Sequence, residues 1–237
     1  MSDGVTELNG EPFTQESLQA LYYAISANDG VSVAELRELL GEFSDRPIAK
    51  ADLHAYREGR KPWKKLRDEV VPVQHFLSSE YPDNARVRFP LDDQPPDAWV
   101  TVDNDDDIGI EVTGALARAG VEVGKSLAEG KPVPGFIALQ DNATQHQFDQ
   151  ARARGRVTHS RKGVDSAIDR AITARLEGKD KQKYADQILL ITAPISSSPN
   201  RNVEDLQTSH GEKAQALPFA KVFVMDGARG SPIVRLK

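Results

Sequence analysis

The stretch "PPDAWVTVDNDDDIGIEVTGA", Pro95 to Ala115, decides how this chain is read. Alternation with a period of two marks two strands in it. Ala98, Val100 and Val102 are the apolar positions of the first, and Ile108, Ile110 and Val112 those of the second. The odd positions carry Asp97, Trp99, Thr101 and Asp103, then Gly109, Glu111 and Thr113. Asn104, Asp105 and Asp106 between them are turn formers. The pattern predicts an antiparallel hairpin that buries its even residues. Keeping both apolar sets on one face demands pairing of like parity, which a three- or five-residue loop supplies. With Trp99 opposite Glu111 and Asp97 opposite Thr113, Asp97 and Glu111 become diagonal neighbours, their Cβ atoms roughly 5–8 Å apart.

Two carboxylates at that distance repel unless something positive lies between them. Paired oxygens of this kind suit magnesium or manganese. The plainer alternative is a solvated polar face, and Asp103 to Asp107 read as an exposed turn. Trp99 and Gly109 share the face of Glu111, which implies cover there, and a covered carboxylate needs a partner. Relief of the carboxylate repulsion leads one to expect Glu111→Ala to leave the metal-free fold as stable as before, or slightly more so.

Composition bounds the class. The chain has 237 residues, 39% hydrophobic and 28% charged, as globular domains do. It has no cysteine, which excludes disulfides and thiolate zinc sites. No apolar run reaches membrane-spanning length, and "MSDGVTELNGEPF" lacks a signal-peptide pattern. A cytoplasmic location with no membrane contact is the expectation. The net charge of −6 is unevenly spread. Arg152 to Lys183 holds ten Lys or Arg against four Asp or Glu. Such a basic stripe fits either a phosphate-binding track or a solvated helix face.

Elements follow from capping and periodicity. Thr14 caps a helix through Leu18, Leu21 and Tyr22, Ser32 with Glu35 caps a second, and "AKADLHAYREG" suggests a third. These place a small helical appendage over residues 1–61, before an α/β domain over 62–237. Pro62 opens a longer helix in which Pro72 must force a kink or an end. "ARVRFPL" reads as a strand, followed by the hairpin and then helices in "GALARAGVEVGKSLAEG" and "DNATQHQFDQARARG". From Lys162 to Gly178, Val164, Ile168, Ile172 and Leu176 form a narrow apolar stripe. "QILLITAP" and "AKVFVMDG" are buried strands around a helix in "NVEDLQTSHGEKAQ", and "PIVRLK" is an edge strand. The order predicts a mixed sheet flanked by helices, in the α/β class.

Pro96-Asp97 opening one strand, with Glu111-Val112-Thr113 in the next, resembles the PD-(D/E)xK nuclease superfamily. In "IGIEVTGA" the tripeptide looks like a variant of its ExK motif, and "AITARLEGKDKQKYADQILLI" matches a basic helix ending in K…KY before an apolar strand. The resemblance spans roughly residues 62–237 and implies a restriction-endonuclease-like core. It implies a magnesium- or manganese-dependent nuclease acting on DNA, in a setting such as phage or plasmid defence. Asp97 and Glu111 would ligate the metal, with the Val112 carbonyl and Glu69 as further ligands. Thr113 stands where the family has its catalytic lysine, so the resemblance looks to the basic helix for a replacement. Of Lys179, Lys181 and Lys183, Lys181 is taken as that catalytic lysine. Arg154, Arg156, Arg161, Lys162, Lys179 and Lys183 would contact nucleic acid. A homodimer is left open. The other class of reading is a catalytically inactive nucleic-acid-binding or inhibitor-like interaction protein on the same fold.

Overall fold

The computed structural model describes residues 10–92, 94–103, 105–154, 157–198, 200–227 and 231–237. Among them a seven-stranded mixed sheet runs in sequence order from β1 to β7. The strands are β1 (Val31–Ser32), β2 (Arg86–Arg88), β3 (Ala98–Thr101), β4 (Ile108–Gly114), β5 (Ile188–Thr192), β6 (Lys221–Met225) and β7 (Ile233–Arg235). The first four pair antiparallel, β4, β5 and β6 are parallel, and β7 returns antiparallel at the far edge. Helices flank the sheet, so the chain is α/β with a mixed sheet, as the element order predicts.

The hairpin keeps the expected parity but not the expected register. Ala98 pairs with Ile110, Trp99 with Gly109 and Val100 with Ile108. Pairing therefore slips by two residues, the smallest shift that leaves the same side chains on the same face. Gly109 sits under Pro96 in this register, where a Cβ would lie 3.0 Å from the Pro96 ring and 3.1 Å from the Gln187 side chain, closer than side chains ordinarily pack. The slip carries Asp97 level with Glu111 instead of diagonal to it.

Parity then sorts the core. Ala98, Val100, Ile110 and Val112 join Val87, Leu190 and Phe223 in one cluster. That face is covered by α1 (Gln15–Ile25), α2 (Val33–Ser44) and a long helix from Trp63 to Glu80. Thr14 caps α1, and Ser32 with Glu35 forms a reciprocal capping box on α2. The other face holds Leu189, Ile191, Val222 and Val224 against Ile168, Ile172 and Leu176. These last belong to α8 (Arg161–Gly178), so the narrow stripe packs on the sheet while Arg170 stays exposed. The remaining helices are α3 (Leu53–Arg57), α6 (Ala117–Ala128), α7 (Gln145–Ala153) and α9 (Val203–Ala216). No helix among the described residues is long and apolar enough to cross a membrane.

The segment expected as an appendage is helical, but its core is continuous with the rest. Leu18, Leu21, Ile25, Leu36 and Leu40 share one cluster with Val100, Ile110 and Phe223. Val31 also pairs with Val87, so the segment supplies the sheet's edge strand.

The long helix is not uniform. It comprises α4 (Trp63–Lys65), a π turn over Leu66–Val70 and α5 (Val71–Glu80). Pro72 has no N–H to donate, and its ring would crowd the carbonyl four residues back. The turn before it is wide, with the Val71 N–H reaching the Leu66 carbonyl.

Helix α6 crosses close to the end of α3. A Cβ at Gly124 would lie 2.0 Å from the Arg57 carbonyl oxygen, whereas one at Gly120 would meet nothing within 4 Å. Gly124→Ala should therefore cost about 1–3 kcal/mol, the usual penalty for overpacking. Gly120→Ala in the same helix should be neutral or gain up to about 1 kcal/mol from helix propensity. Urea denaturation of the two variants checks the pair, and equal effects would contradict this crossing.

Candidate functional site

The last paired residues of the hairpin are Ala98 and Ile110, so the Val112 N–H lies beyond the β3 ladder. Asp97 takes over from the missing strand, and its Oδ2 accepts that N–H at 2.8 Å. Its carboxylate is thus fixed beside Glu111. Glu111 sits in the middle of β4, on the face covered by α8, and is only 6% exposed.

A buried carboxylate must be compensated. The compensation comes from Lys179, the residue that caps the C-terminus of α8, whose Nζ donates to Glu111 Oε1. The same ammonium lies 3.4 Å from the Tyr184 hydroxyl and over the Tyr184 ring. Tyr184 is itself fixed by stacking on Phe219. Burial pulls the Lys179 ammonium down, but Glu111 outweighs it and holds the pKa above the ordinary lysine value. Glu111 Oε2 is buried with no hydrogen-bond partner.

Both carboxylates line a cleft of about 690 Å³ with Glu69, Thr113, Lys64, Arg67 and Arg175. Burial, then the charge of Glu111, raises the Asp97 carboxyl above its usual range. Glu69, on the π turn, is also raised, chiefly by burial and further by Asp97, although Lys65 bonds it at 2.6 Å and opposes the shift. Arg175 reaches the cleft lining but is paired with Asp141.

The expected residues therefore divide. Asp97, Glu111, Val112, Thr113 and Glu69 share one cleft. Lys179 reaches Glu111, whereas Lys181, taken as the catalytic lysine, is exposed and does not line the cleft. The difference is one of helix end. Lys179 is the α8 cap and is aimed by it, while Lys181 lies beyond the cap in extended backbone. Lys183 is exposed, with its Nζ 4.7 Å from the centre of the Tyr184 ring. Arg154, Arg161 and Lys162 are exposed and do not line the cleft. Arg161 lines a second cavity with His159, Asp165 and Arg201. Arg156 lies outside the described residues.

Among the described residues no group of three or more His, Asp or Glu side chains is placed to hold a metal. Glu69 faces the cleft, but it is bonded to Lys65 and does not complete such a group. The donor set that does fit a cation is the pair Asp97 and Glu111. Magnesium commonly uses one or two carboxylates and completes its shell with waters and phosphate oxygens. The orphaned Glu111 Oε2 is the atom such an ion would satisfy. Sequence reasoning missed Lys64 and Arg67 as cleft cations, because their helical positions carry no motif. Comparison of the chain with family models, with curated proteins and with solved structures finds no match.

Two expectations follow from these charges. Glu111→Ala removes the partner of an ammonium whose side chain is only 20% exposed. It should destabilise the metal-free protein by about 1–3 kcal/mol, the usual penalty of an orphaned buried polar group. This replaces the gain anticipated from relieved repulsion, since Lys179 already neutralises that carboxylate, and thermal denaturation without metal distinguishes the two. For Asp97 the sign runs the other way. Its folded-state pKa is raised, so the folded protein holds more protons than the unfolded chain. Stability therefore falls as pH climbs from the ordinary carboxylate value through the raised one. Asp97→Asn keeps an acceptor for the Val112 N–H and removes that fall. Urea denaturation from acid to neutral pH should show the variant gaining on the wild type as pH rises, and a pH-independent difference would refute the assignment.

Proposed function

We propose that this protein is a metal-dependent nuclease that hydrolyses DNA phosphodiester bonds on a restriction-endonuclease-like core. The observation that carries the reading is the buried Glu111 beside Asp97, with Lys179 supplied from a helix end where the strand itself offers only Thr113. Asp97 and Glu111 would hold magnesium or manganese, which when bound supplies an activated water and neutralises charge growing on the phosphate. The remaining steps belong to the chain. Lys179 holds a positive charge against Glu111, where a strand lysine would otherwise orient the attacking water or stabilise the transition state. Val112 fixes the Asp97 carboxylate through its N–H, so the ligand is oriented before anything binds. Lys64, exposed at the cleft lining, offers an ammonium to a phosphate backbone, whereas Arg67 there is paired with Asp68.

A second reading is favoured by one observation, the Glu111–Lys179 ion pair. An ammonium already on the carboxylate is what a scaffold would keep after losing its metal and its chemistry. Such a protein would bind nucleic acid or a protein partner without cutting.

The test is cleavage of plasmid and single-stranded DNA with and without Mg2+ or Mn2+. Glu111→Ala should abolish metal-dependent cleavage. Lys179→Met should reduce it by about 100-fold or more, the scale of a lost electrostatic stabiliser, while Lys181→Met should leave it within about twofold. Binding that weakens steeply with salt, without cleavage or metal-induced stabilisation, would instead establish the second reading. Equal effects of the two lysine variants would remove Lys179 from the mechanism.

A further inference from the structure

Tyr22 lies on α1, outside the cleft lining, yet its hydroxyl is built into the helix that carries Glu69. In a regular helix the Leu66 N–H would bond the Pro62 carbonyl four residues back. Here the Tyr22 hydroxyl occupies that gap. It donates to the Pro62 carbonyl at 2.7 Å and accepts from the Leu66 N–H at 2.9 Å. The Leu66 N–H also reaches the Trp63 carbonyl. The next turn is the π turn, whose closing bond runs from the Val71 N–H to the Leu66 carbonyl. A side chain inserted into the ladder distorts a helix at that point, and single π turns recur at functional sites.

The consequence for the cleft is geometric. Each residue of a helix turns the chain by about 100°. Val73, Phe76 and Leu77 of α5 are fully buried and fix the lower half of the helix. Without the extra residue in the turn, Lys65 and Glu69 would swing by about that angle relative to this anchor and leave the side of Asp97. Burial raises the Tyr22 phenol above its ordinary range and the Glu69 charge adds to the effect, which agrees with the hydroxyl and the cleft acid lying close together.

We propose that Tyr22 is a positioning residue of the cleft: its hydroxyl splices into the helix between Pro62 and Leu66 and holds the π turn that sets Lys65 and Glu69 beside Asp97. The role toward a metal rests on the nuclease reading, whereas the role in the turn does not. Pro72 alone does not replace it, because a proline removes a donor from the following turn and leaves the Leu66 N–H and Pro62 carbonyl to be satisfied otherwise.

The experiment uses the full chain and Tyr22→Phe, which keeps the ring in its buried place. A crystal structure of the variant should show the Leu66 N–H back on the Pro62 carbonyl and the π turn reset. Mn2+ titration followed by electron paramagnetic resonance should show binding weakened by about 10-fold or more, the range for outer partners of metal ligands. Leu21→Ala, a packing loss on the same helix at a residue 6% exposed, should leave Mn2+ affinity within about twofold in the folded protein. An unchanged turn in Tyr22→Phe overturns the proposal. So does a reset turn with unchanged Mn2+ affinity, or a loss in Leu21→Ala as large as in Tyr22→Phe. Hydrogen exchange at the Leu66 amide of the unmodified protein serves if the variant does not fold, and rapid exchange there overturns the splice. A wild type that binds no Mn2+, with Glu111→Ala no different, overturns the metal reading and the metal role of Tyr22 with it. The reset turn then separately decides the structural part.

Discussion

The ion pair between Glu111 and Lys179 joins the middle of a strand to the end of a helix sixty-eight residues further on. An isolated carboxylate at 6% exposure would lose its charge or unfold its surroundings. Its retention therefore depends on everything that aims Lys179. The apolar stripe of α8 seats the helix on the sheet, and the helix end delivers the lysine as a cap, where a cation also answers the partial negative charge of the last carbonyls. Tyr184, stacked on Phe219, closes the third side. A break in any of these leaves one charge buried and unpaired, which costs more than the pair is worth intact.

Much of the fold was legible because it rests on short-range rules. Caps at Thr14 and Ser32, the four-residue stripe of α8, and the apolar runs of β5 and β6 are local signals, and the structure uses them as read. The hairpin's parity was equally local. Its register was not, because slips by two residues preserve parity, and the close approach of Pro96 to Gly109 is a contact that alternation does not reveal. The strand β1 escaped notice because two residues show no alternation. Asp97 and Glu111 could be named from spacing alone. Which lysine meets Glu111 could not, since Lys179 and Lys181 differ by their position at a helix end and not by any neighbouring motif.

The basic stretch from Arg152 to Lys183 shows why a charge count alone misleads. Arg152 is spent on Glu122, which is 1% exposed and also held by Lys125, so this cluster ties α7 to α6. Arg175 is spent on Asp141 and Lys179 on Glu111. What remains at the surface includes Arg154, Arg161, Lys162, Arg170 and Lys183. Three of the ten cations of an apparent nucleic-acid track are thus internal electrostatics, and the exposed ones among the described residues are not part of the carboxylate cleft.

The first sixty-one residues bear on the site through the same kind of contact. Tyr22 completes the hydrogen bonding of the helix that presents Glu69, and Val31 extends the antiparallel half of the sheet beyond β2. Trp63, at the start of that helix, is fully buried and packs edge-on against Phe13 and Tyr56 from the N-terminal segment. A cut after residue 61 would expose this aromatic cluster and leave the Leu66 amide without the hydroxyl. The carboxylate cleft is therefore assembled from two walls, one of which is held in shape by residues that carry no chemistry of their own.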